Sequence, residues 1–427
     1  MQKLKNVIRF IKADNLFKII RNFLILLVSF FIPKSDSYII IGGWFGQRFA
    51  DNSKYLFLNI FNNLSESGFK KVIWISRNKS IVKELSEAGF EAYSAWDIRS
   101  IWSHFRSKYH VIDQSYKDIN SIFSVRSKRI HLWHGFPLKR VGEIGKYIED
   151  GEYKNNIIPK KESYILQLLN KLKSNGFWND YYLLGTSELS ADIMGKAFNV
   201  VKEKVFISGY PRNFKPIFES SPEFVSNTEK EILKNLNNFK EEGYKLIGYF
   251  PTFRDTTKTI IFGTEEKELI SSFLNKCEKN KIKIISKFHS AEKNTHLQNL
   301  QNHPSFLNLP ADTDIYSYLD LIDIVITDYS SIGFDFLLWD RPVIFFPYDL
   351  DYYKNHDRKL IFDYEKFTPG PKVYTIEDLE DIILEPFDQI VSNYNQKYKK
   401  HSEEVSKLIY GDYKNYNIFH LIKQIKD

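Results

Sequence analysis

Residues 324–339, with the sequence IVITDYSSIGFDFLLW, decide the fold of this chain. The run from Ile324 to Thr327 is short, apolar and β-branched, which is typical of a buried strand in a parallel sheet. Polar turn residues fill 328–331, and apolar residues recur at helical spacing from Ile332 onward. The segment therefore predicts a strand that leads through a tight turn into a helix, the repeating unit of α/β proteins.

The start of that helix is a candidate phosphate site. A helix N-terminus presents unpaired backbone N–H groups and the positive end of the helix dipole, and phosphates bind there. Ser330 and Ser331 add two side-chain donors, so we expect them to contact a phosphoryl oxygen. The alternative is that both serines only cap the helix.

A second strand-to-loop transition lies at residues 129–140. His134 stands where the strand ends, and Gly135 and Pro137 then turn the backbone sharply. An imidazole at a strand end can face a cleft, and its ordinary pKa suits proton transfer near neutrality. A purely structural role is the alternative for such a histidine, and His131 on the same strand is expected to be packed.

Three further apolar runs end in motifs with charged side chains. These side chains are Arg212, Arg254, Asp255, Lys287 and His289. In open α/β sheets, ligands bind at the carboxyl ends of the strands. The repeated placement of cationic residues at strand ends therefore predicts a site for an anionic ligand.

Alternating strands and helices are predicted from residue 38 onward, in two series. The first series has strand candidates at 38–42, 72–76, 109–113, 129–133 and 181–185, with helices near 52–66, 78–88 and 188–198. The second has strand candidates at 245–250, 282–287, 305–309, 323–327 and 343–347. The polar segment 219–238 separates the two series and is the predicted domain junction. The loop 42–46 lacks the glycine spacing of a dinucleotide fingerprint and is interpreted as a close turn lining the cleft.

Composition supports a two-domain protein with an anionic partner. The 427 residues are 43% hydrophobic, enough for two cores of ordinary domain size. The single cysteine, Cys277, excludes an intrachain disulfide and is interpreted as structural. The net charge of +7 indicates a phospholipid, nucleotide or phosphate polymer as partner. No nucleic acid is expected, because the basic residues form no recognisable reading motif. No Cys/His cluster has metal-ligand spacing, so no cofactor is required, and weakly held Mg²⁺ stays open.

The N-terminal segment predicts contact with a membrane. Six cations precede the apolar run 23–32, which is about half as long as a bilayer-spanning helix. No small-residue cleavage site follows, which argues against a signal peptide. Residues 1–34 are therefore expected to lie as a basic interfacial helix on an anionic membrane, at its cytoplasmic face. The alternative is a hydrophobic helix packed on the protein body. The basic stretch 154–173, in an insertion near 150–178, is either a second membrane contact or a solvated helix face.

These segments together resemble the CDP-glycerol glycerophosphotransferases, which build teichoic acids and related phosphate-linked polyols of bacterial surfaces. The resemblance covers roughly residues 38–375. It rests on the motifs FADNSKYLF (49–57), WHGFPLK (133–139), GYPRN (209–213), FPTFRD (250–255), KFH (287–289), ITDYSS (326–331), FDF (334–336), RPVIF (341–345) and the segment 364–371. Phe136, Phe214 and Ser290 depart from the family pattern, and Phe214 leaves Arg212 without one expected neighbour.

The resemblance implies a GT-B fold, in which two Rossmann-like domains face each other across a cleft. The acceptor domain would be 35–219 and the CDP-glycerol-binding domain 220–427, with the last helices commonly returning to the first domain. His134 is expected to be the base that takes the acceptor proton, whereas His289 and Arg254 stabilise the transferring phosphate. The residues expected to bind substrate are Arg212, Arg254, Asp255, Lys287, Thr327, Asp328, Ser330, Ser331 and Asp335. Asp328 is expected to orient its neighbours rather than to bind metal.

The implied enzyme transfers glycerol phosphate from CDP-glycerol to a hydroxyl of a polyprenyl-diphosphate-linked glycan or polyol-phosphate acceptor and releases CMP. The pathway would be synthesis of teichoic acid, capsule or a related polymer. CDP-ribitol is the alternative donor within the same family. Two other classes stay open: a GT-B glycosyltransferase that uses a nucleotide sugar, and an inactive protein that binds polyanions at the membrane. The sequence does not decide whether the enzyme is a primase or a polymerase. It does not decide the oligomeric state either.

Overall fold

The protein was analysed as a computed structural model that describes residues 13–149, 152–153, 181–214, 224, 226–254, 256–288, 300 and 302–427. Its strands are β1 Ser35–Ile41, β2 Lys71–Ser76, β3 Ala92–Ser94, β4 Ser107–Ile112, β5 Lys128–His131, β6 Ile148–Glu149, β7 Glu152–Tyr153, β8 Tyr182–Gly185, β9 Val205–Ile207, β10 Lys245–Phe250, β11 Ile282–Ser286, β12 Phe306–Asn308, β13 Ile324–Thr327 and β14 Val343–Phe345. The strand candidates are thus confirmed, whereas the short β3, β6 and β7 were missed, and β9 was recognised only as an apolar run before Arg212.

Two parallel sheets organise the chain. The first has the order β3-β2-β1-β4-β5-β8-β9 and the second the order β12-β11-β10-β13-β14, while β6 and β7 form a small antiparallel pair. Each large sheet runs outward in both directions from its first strand, so it has a switch point, between β1 and β4 or between β10 and β13. Ligands bind at the carboxyl ends of the strands beside such points. The predicted α/β class with parallel sheets is confirmed.

The strands are apolar because both faces of each sheet are covered. Ile39, Ile40 and Ile41 at the centre of the first sheet and the residues of β13 in the second are buried. The α-helices of four or more residues among the described residues are Ala13–Phe30, Asp51–Asn62, Leu64–Ser67, Lys79–Glu87, Ile98–Arg106, Glu188–Phe198, Asn227–Glu241, Lys267–Lys279, Ile332–Leu337, Tyr364–Phe367, Ile376–Ile383, Phe387–Tyr410 and Ile418–Lys426.

Two helices bear on the predicted domain organisation. The helix Asn227–Glu241 begins at a capping box of Ser226 and Glu229, so the second half of the polar segment predicted as the junction is helical. The last helix, Ile418–Lys426, lies against the first sheet: Tyr109 Oη donates to the Lys426 carbonyl at 3.2 Å. This is the return that the resemblance implies, while the boundary at residue 220 stays a prediction.

The N-terminal helix Ala13–Phe30 leaves much of its apolar surface exposed, including Phe17, Phe23 and Phe30. Its C-terminal turn is attached to the body, because Arg126 donates to the Ser29 carbonyl at 2.5 Å and lies 4.7 Å from the Phe30 ring. Within the described residues no helix has the length and apolar character needed to cross a membrane. Residues 1–12 and the basic stretch 154–173 lie outside the described residues.

Candidate active site

Arg212 joins the two halves of the molecule, of which the first carries the sheet that contains β1 and the second the sheet that contains β10. It lies in the turn that follows β9 and is only 2% exposed. Its Nη1 donates to Asp51 Oδ1 at 2.5 Å and to the His134 carbonyl at 2.9 Å, and its Nη2 donates to Asp335 Oδ2 at 2.6 Å. Asp51 opens the first helix after β1, whereas Asp335 lies in the helix after β13. The guanidinium fork therefore connects the carboxyl edges of both sheets.

The Asp335 carboxylate accepts from both halves of the molecule as well. Besides Arg212, its donors are the hydroxyls of Tyr316 at 2.6 Å and Tyr410 at 2.7 Å and the Asn213 amide at 2.9 Å. Charge-assisted bonds of this kind are the stronger ones. Arg212 and Asp335, both predicted to bind substrate, thus bind each other in this structure.

Arg212 and its two aspartates stabilise one another in their charged forms. Burial alone would lower the pKa of Arg212, but the carboxylates of Asp335 and Asp51 outweigh it and hold that pKa well above the ordinary value. Burial raises the pKa of Asp51, and the Arg212 charge opposes the rise. Removal of one partner would leave an uncompensated charge in the interior.

Lys54 makes a second ionic link between the halves. It lies in the same helix as Asp51 and is buried. Its Nζ is 3.2 Å from Asp314 and 3.6 Å from Glu229, and it donates to the Ser317 hydroxyl at 2.9 Å. All three partners belong to the second half of the chain.

His134 lies directly at this junction. It is half-buried, and its ring lies 4.0 Å from the Trp133 ring. Its Nδ1 is 3.3 Å from the Asp113 carbonyl, which fixes Nδ1 as the donor and leaves the Nε2 lone pair free to accept a proton. Burial lowers the pKa of His134 to about 3, so the unliganded side chain is neutral near pH 7.

Gly135 brings the serine motif next to this histidine. Its φ of 146° belongs to the region that favours glycine. A Cβ here would collide with the Ser331 hydroxyl, so the first half of the chain lies in contact with the start of the helix Ile332–Leu337. Ser331 is the N-cap residue of that helix, yet its side chain makes no capping hydrogen bond. Its hydroxyl is therefore not used as a cap.

Arg254 forms a separate ionic cluster within the second half. It is 1% exposed and donates to Asp349 at 2.7 and 2.9 Å and to Asp328 at 2.9 Å. Asp328 also accepts from the Thr252 backbone at 2.8 Å and so links the ends of β10 and β13. The aromatic rings around the Arg254 guanidinium are those of Tyr329, Tyr348 and Tyr353.

Of the remaining residues predicted to form the site, Thr327 has a structural hydrogen bond, Lys287 lies at a strand end, and two are not described. The Thr327 hydroxyl donates to the Phe250 carbonyl at 2.6 Å and thereby ties β13 to β10. Lys287 is half-buried at the end of β11, and burial, followed by the charge of Arg48, lowers its pKa to about 8. His289 and Asp255 lie outside the described residues. His131 is packed as expected, and Cys277 is buried.

Sequence reasoning did not single out several members of these clusters: Asp51, Lys54, Asp314, Asp349 and Arg48. Asp51 and Lys54 fall inside the motif 49–57, so the motif pointed to them without giving them a role. Asp314 and Asp349 come after the strand candidates 305–309 and 343–347 but lie outside every quoted motif, and no sequence signal pairs them with distant cations. Among the described residues no group of three or more His, Cys, Asp or Glu side chains could hold a metal ion.

Comparisons with known proteins agree with this geometry. A family model described as CDP-Glycerol:Poly(glycerophosphate) glycerophosphotransferase matches residues 25–416. The teichoic acid poly(glycerol phosphate) polymerase of Bacillus spizizenii is 26% identical over 372 residues, which cover 82% of this chain and 84% of that protein. The teichoic acid glycerol-phosphate transferase of Staphylococcus aureus is 27% identical over 372 residues, with coverages of 84% and 86%.

The fold also has a solved counterpart. A structure of the wall teichoic acid polymerase TagF, a histidine-to-asparagine variant soaked with CDPG, superposes with a TM-score of 0.66. The match covers 100% of this chain and 98% of that chain at 20% sequence identity. At this identity the likeness shows a shared fold.

Proposed function

The chain belongs to the CDP-glycerol:poly(glycerophosphate) glycerophosphotransferase family, and from this premise we propose that it transfers glycerol phosphate from CDP-glycerol to a lipid-linked acceptor and releases CMP. The observation that carries the proposal is the contact between Gly135, the residue after His134, and Ser331, whose hydroxyl does not cap the helix that it precedes. A base and a candidate phosphate site thus meet where the two sheets meet.

In the proposed reaction a hydroxyl of the acceptor attacks the phosphorus that carries glycerol. Nε2 of His134 takes the hydroxyl proton while the new P–O bond forms. The bond from that phosphorus to the oxygen of the cytidylyl phosphate breaks, and CMP leaves with the electron pair. Phosphoryl transfer depends mainly on positioning and on donors around the phosphate.

The low pKa of free His134 fits this role when the substrate is considered. A neutral imidazole is ready to accept a proton, but a group with a pKa of about 3 is a weak base. The phosphate anions of the donor would favour the charged imidazolium and raise this pKa when they bind.

The donor would lie on the second half. Ser330 and Ser331 would hold the pyrophosphate, with His289 stabilising the transferring group. Arg254 is occupied by Asp328 and Asp349, so its support would reach the phosphate through the loop that it fixes. We assign the two halves to a GT-B arrangement, with the acceptor on the first. Cationic side chains and N–H donors supply the charge, and no metal is needed in this scheme.

We further propose that the enzyme works peripherally at the cytoplasmic face of the membrane. The helix Ala13–Phe30 exposes apolar residues next to Lys18 and Arg21. A second exposed apolar patch, of Trp96, Ile98 and Trp102, lies nearby. Ile98 and Trp102 belong to the helix Ile98–Arg106, and both this helix and the N-terminal helix contact the turn Ser121–Phe123. Indole rings favour the membrane interface.

A donor assay tests the reaction. The purified full chain is incubated with radiolabelled CDP-glycerol, CDP-ribitol or a set of UDP-sugars and a lipid-linked acceptor, with and without EDTA. We expect transfer from CDP-glycerol together with stoichiometric CMP, and no effect of EDTA. Transfer from CDP-ribitol alone would select the ribitol alternative, and transfer from a UDP-sugar would show a glycosyltransferase instead.

Vesicle sedimentation tests the location. Deletion of residues 1–33 should release the protein from anionic vesicles and preserve transfer to a soluble acceptor analogue. Each basic residue near an anionic surface contributes about 1 kcal/mol, which salt weakens. If the truncated protein sediments like the full chain, the N-terminal helix is not the anchor. If it does not fold, the helix belongs to the core.

A further inference from the structure

Arg48, at the carboxyl edge of the first sheet, has no carboxylate partner in the part of the chain that the structure describes. It is half-buried, and its guanidinium lies 4.3 Å from the centre of the Trp44 ring. Among the described residues no carboxylate forms an ion pair or hydrogen bond with it. The Trp44 indole Nε1 is likewise buried and lacks an acceptor within the described residues. Buried donors are normally paired, so the unused indole N–H beside a half-buried guanidinium requires an explanation.

The loop that carries these donors is held in an unusual conformation. Trp44 and Phe45 have φ values of 47° and 57°, in the left-handed region that non-glycine residues rarely adopt. Asp113 accepts from the Trp44 backbone at 3.2 Å, and Asp118 accepts from the Phe45 backbone at 2.7 Å. Strained residues persist where surrounding contacts fix them, and they concentrate at ligand sites.

Lys287 approaches the same place from the second sheet. It follows β11, whose neighbour β12 precedes the segment with Asp314 and Ser317, and that segment contacts Lys54. Lys287 has no hydrogen bond or ion pair to any described residue. The charged groups around it are Arg48, Asp314, Asp312 and Asp51.

The described acids in this region attract both cations, but none forms an ion pair with either, and burial still lowers the pKa of Arg48 and of Lys287. Asp314 lies 3.2 Å from Lys54 and is engaged there, while Asp51 is engaged by Arg212. Asp312 is exposed. Two half-buried cations that lie close together destabilise each other until an anion binds.

We propose that Arg48, Lys287 and the Trp44 indole form a second phosphate subsite, separate from the serine motif. This assignment rests on the proposed function, in which the acceptor brings its own phosphate. Because Arg48 and Trp44 belong to the first half of the chain, the acceptor is the expected source of that phosphate. A phosphate of CDP-glycerol is the other source with the same chemistry.

Steady-state kinetics with Arg48→Gln tests the subsite. The acceptors compared are one that ends in glycerol phosphate and a neutral one that lacks the phosphate. We expect the KM for the phosphorylated acceptor to rise roughly ten- to a hundredfold, the scale of a lost charge-assisted bond. The KM for the neutral acceptor and the affinity for CDP-glycerol should not change. Arg48→Lys should lie between, because it retains charge without the planar fork.

Two further variants keep the test decisive. Lys279→Gln removes an exposed charge at a helix end and is the matched control. Lys287→Gln should reproduce the effect of Arg48→Gln from the opposite side of the cleft, even if Arg48→Gln lowers the thermal midpoint. A loss of affinity for CDP-glycerol alone would make the donor the source of the phosphate. Unchanged constants for both substrates in both variants would overturn the subsite.

Calorimetry separates this proposal from the proposed function. Glycerol 3-phosphate and glycerol are titrated into the full chain and into Arg48→Gln, without any turnover. The subsite predicts that glycerol 3-phosphate binds the unaltered chain at least tenfold more tightly than the variant, and that glycerol binds neither measurably. If the chain transfers nothing from CDP-glycerol but shows this difference, the reaction is wrong and the subsite stands. Equal binding of glycerol 3-phosphate to both proteins would refute it.

Discussion

The clusters around Arg212 and Arg254 have the same chemistry and different places in the molecule. Each arginine is almost completely buried, donates to two aspartates and lies against tyrosine rings. Arg212 takes Asp51 from the first half and Asp335 from the second. The partners of Arg254 all belong to the second half.

The same arrangement, a buried arginine between two aspartates, has two different effects in this molecule. A buried fork between carboxylates fixes geometry strictly, because a bidentate pair tolerates little misplacement. Around Arg254 this fixes the loops at the switch point of the second sheet. Around Arg212 it fixes one sheet against the other, with the His134 carbonyl as a third acceptor. We therefore expect loss of Arg254 to affect mainly stability, and loss of the Arg212 cluster to affect mainly turnover.

The largest effect is expected for Arg254→Ala. The substitution leaves Asp328 and part of Asp349 buried without their counter-charge, a change that costs about 3–5 kcal/mol in other proteins. Chemical denaturation should show this loss in the free energy of unfolding. Arg254→Lys, which keeps a charge, should lose less. A loss below about 1 kcal/mol would mean that this cluster is not a stability element.

A smaller effect on stability, but a clear one on turnover, is expected for Asp335→Asn. Arg212 retains Asp51, so the free energy of unfolding should fall by only about 1–3 kcal/mol. The position of one sheet relative to the other depends on this carboxylate, and a misplacement of the reacting groups by about 1 Å can lower a rate a hundredfold. Asp340→Asn, at an exposed position, is the control. If turnover survives while stability falls, the Arg212 cluster is structural only.

The serine motif gives the next prediction. Ser330→Ala with Ser331→Ala should weaken CDP-glycerol binding about five- to a hundredfold, because each neutral hydrogen bond contributes about 0.5–1.5 kcal/mol. Membrane binding should not change. Because the Ser331 side chain does not cap its helix, stability should also be retained. Calorimetry that gives the same nucleotide affinity as the unaltered chain would remove both serines from the donor site.

The smallest effect is expected in the pH profile. The lowered pKa of His134, about 3, keeps its imidazole neutral across the working range, so kcat/KM should be level from about pH 5 to 7. Lys287, with a pKa of about 8, loses its charge as the pH rises through that value, and kcat/KM should then fall. Arg48→Gln should move this fall to higher pH by removing a cationic neighbour. An acidic limb near pH 6.5 would contradict the burial of His134.

Much of this arrangement could be predicted from the sequence, for identifiable reasons. Strand and helix positions follow from apolar periodicity, as in β13 and the helix after it. The chemistry proposed for His134, Ser330 and Ser331 is inferred from their places at strand ends. The partners of Arg212 could not be predicted, because Asp51 and Asp335 are far apart in sequence and meet only through packing. For the same reason a residue predicted to bind substrate proved to bind another such residue.

The most direct test of the account compares His134 with its neighbour His131. Both imidazoles lie 3.3 Å from the same Asp113 carbonyl, but only His134 lies at the junction with the serine motif. His134 uses Nδ1 for this bond and His131 uses Nε2, so asparagine at 134 and glutamine at 131 are the substitutions that can keep an N–H donor near the carbonyl. Transfer of glycerol phosphate from CDP-glycerol is measured for His134→Asn and His131→Gln under donor saturation. We expect His134→Asn to lower kcat at least about a hundredfold and His131→Gln to lower it less than about threefold. A near-normal kcat for His134→Asn would contradict its role as the base.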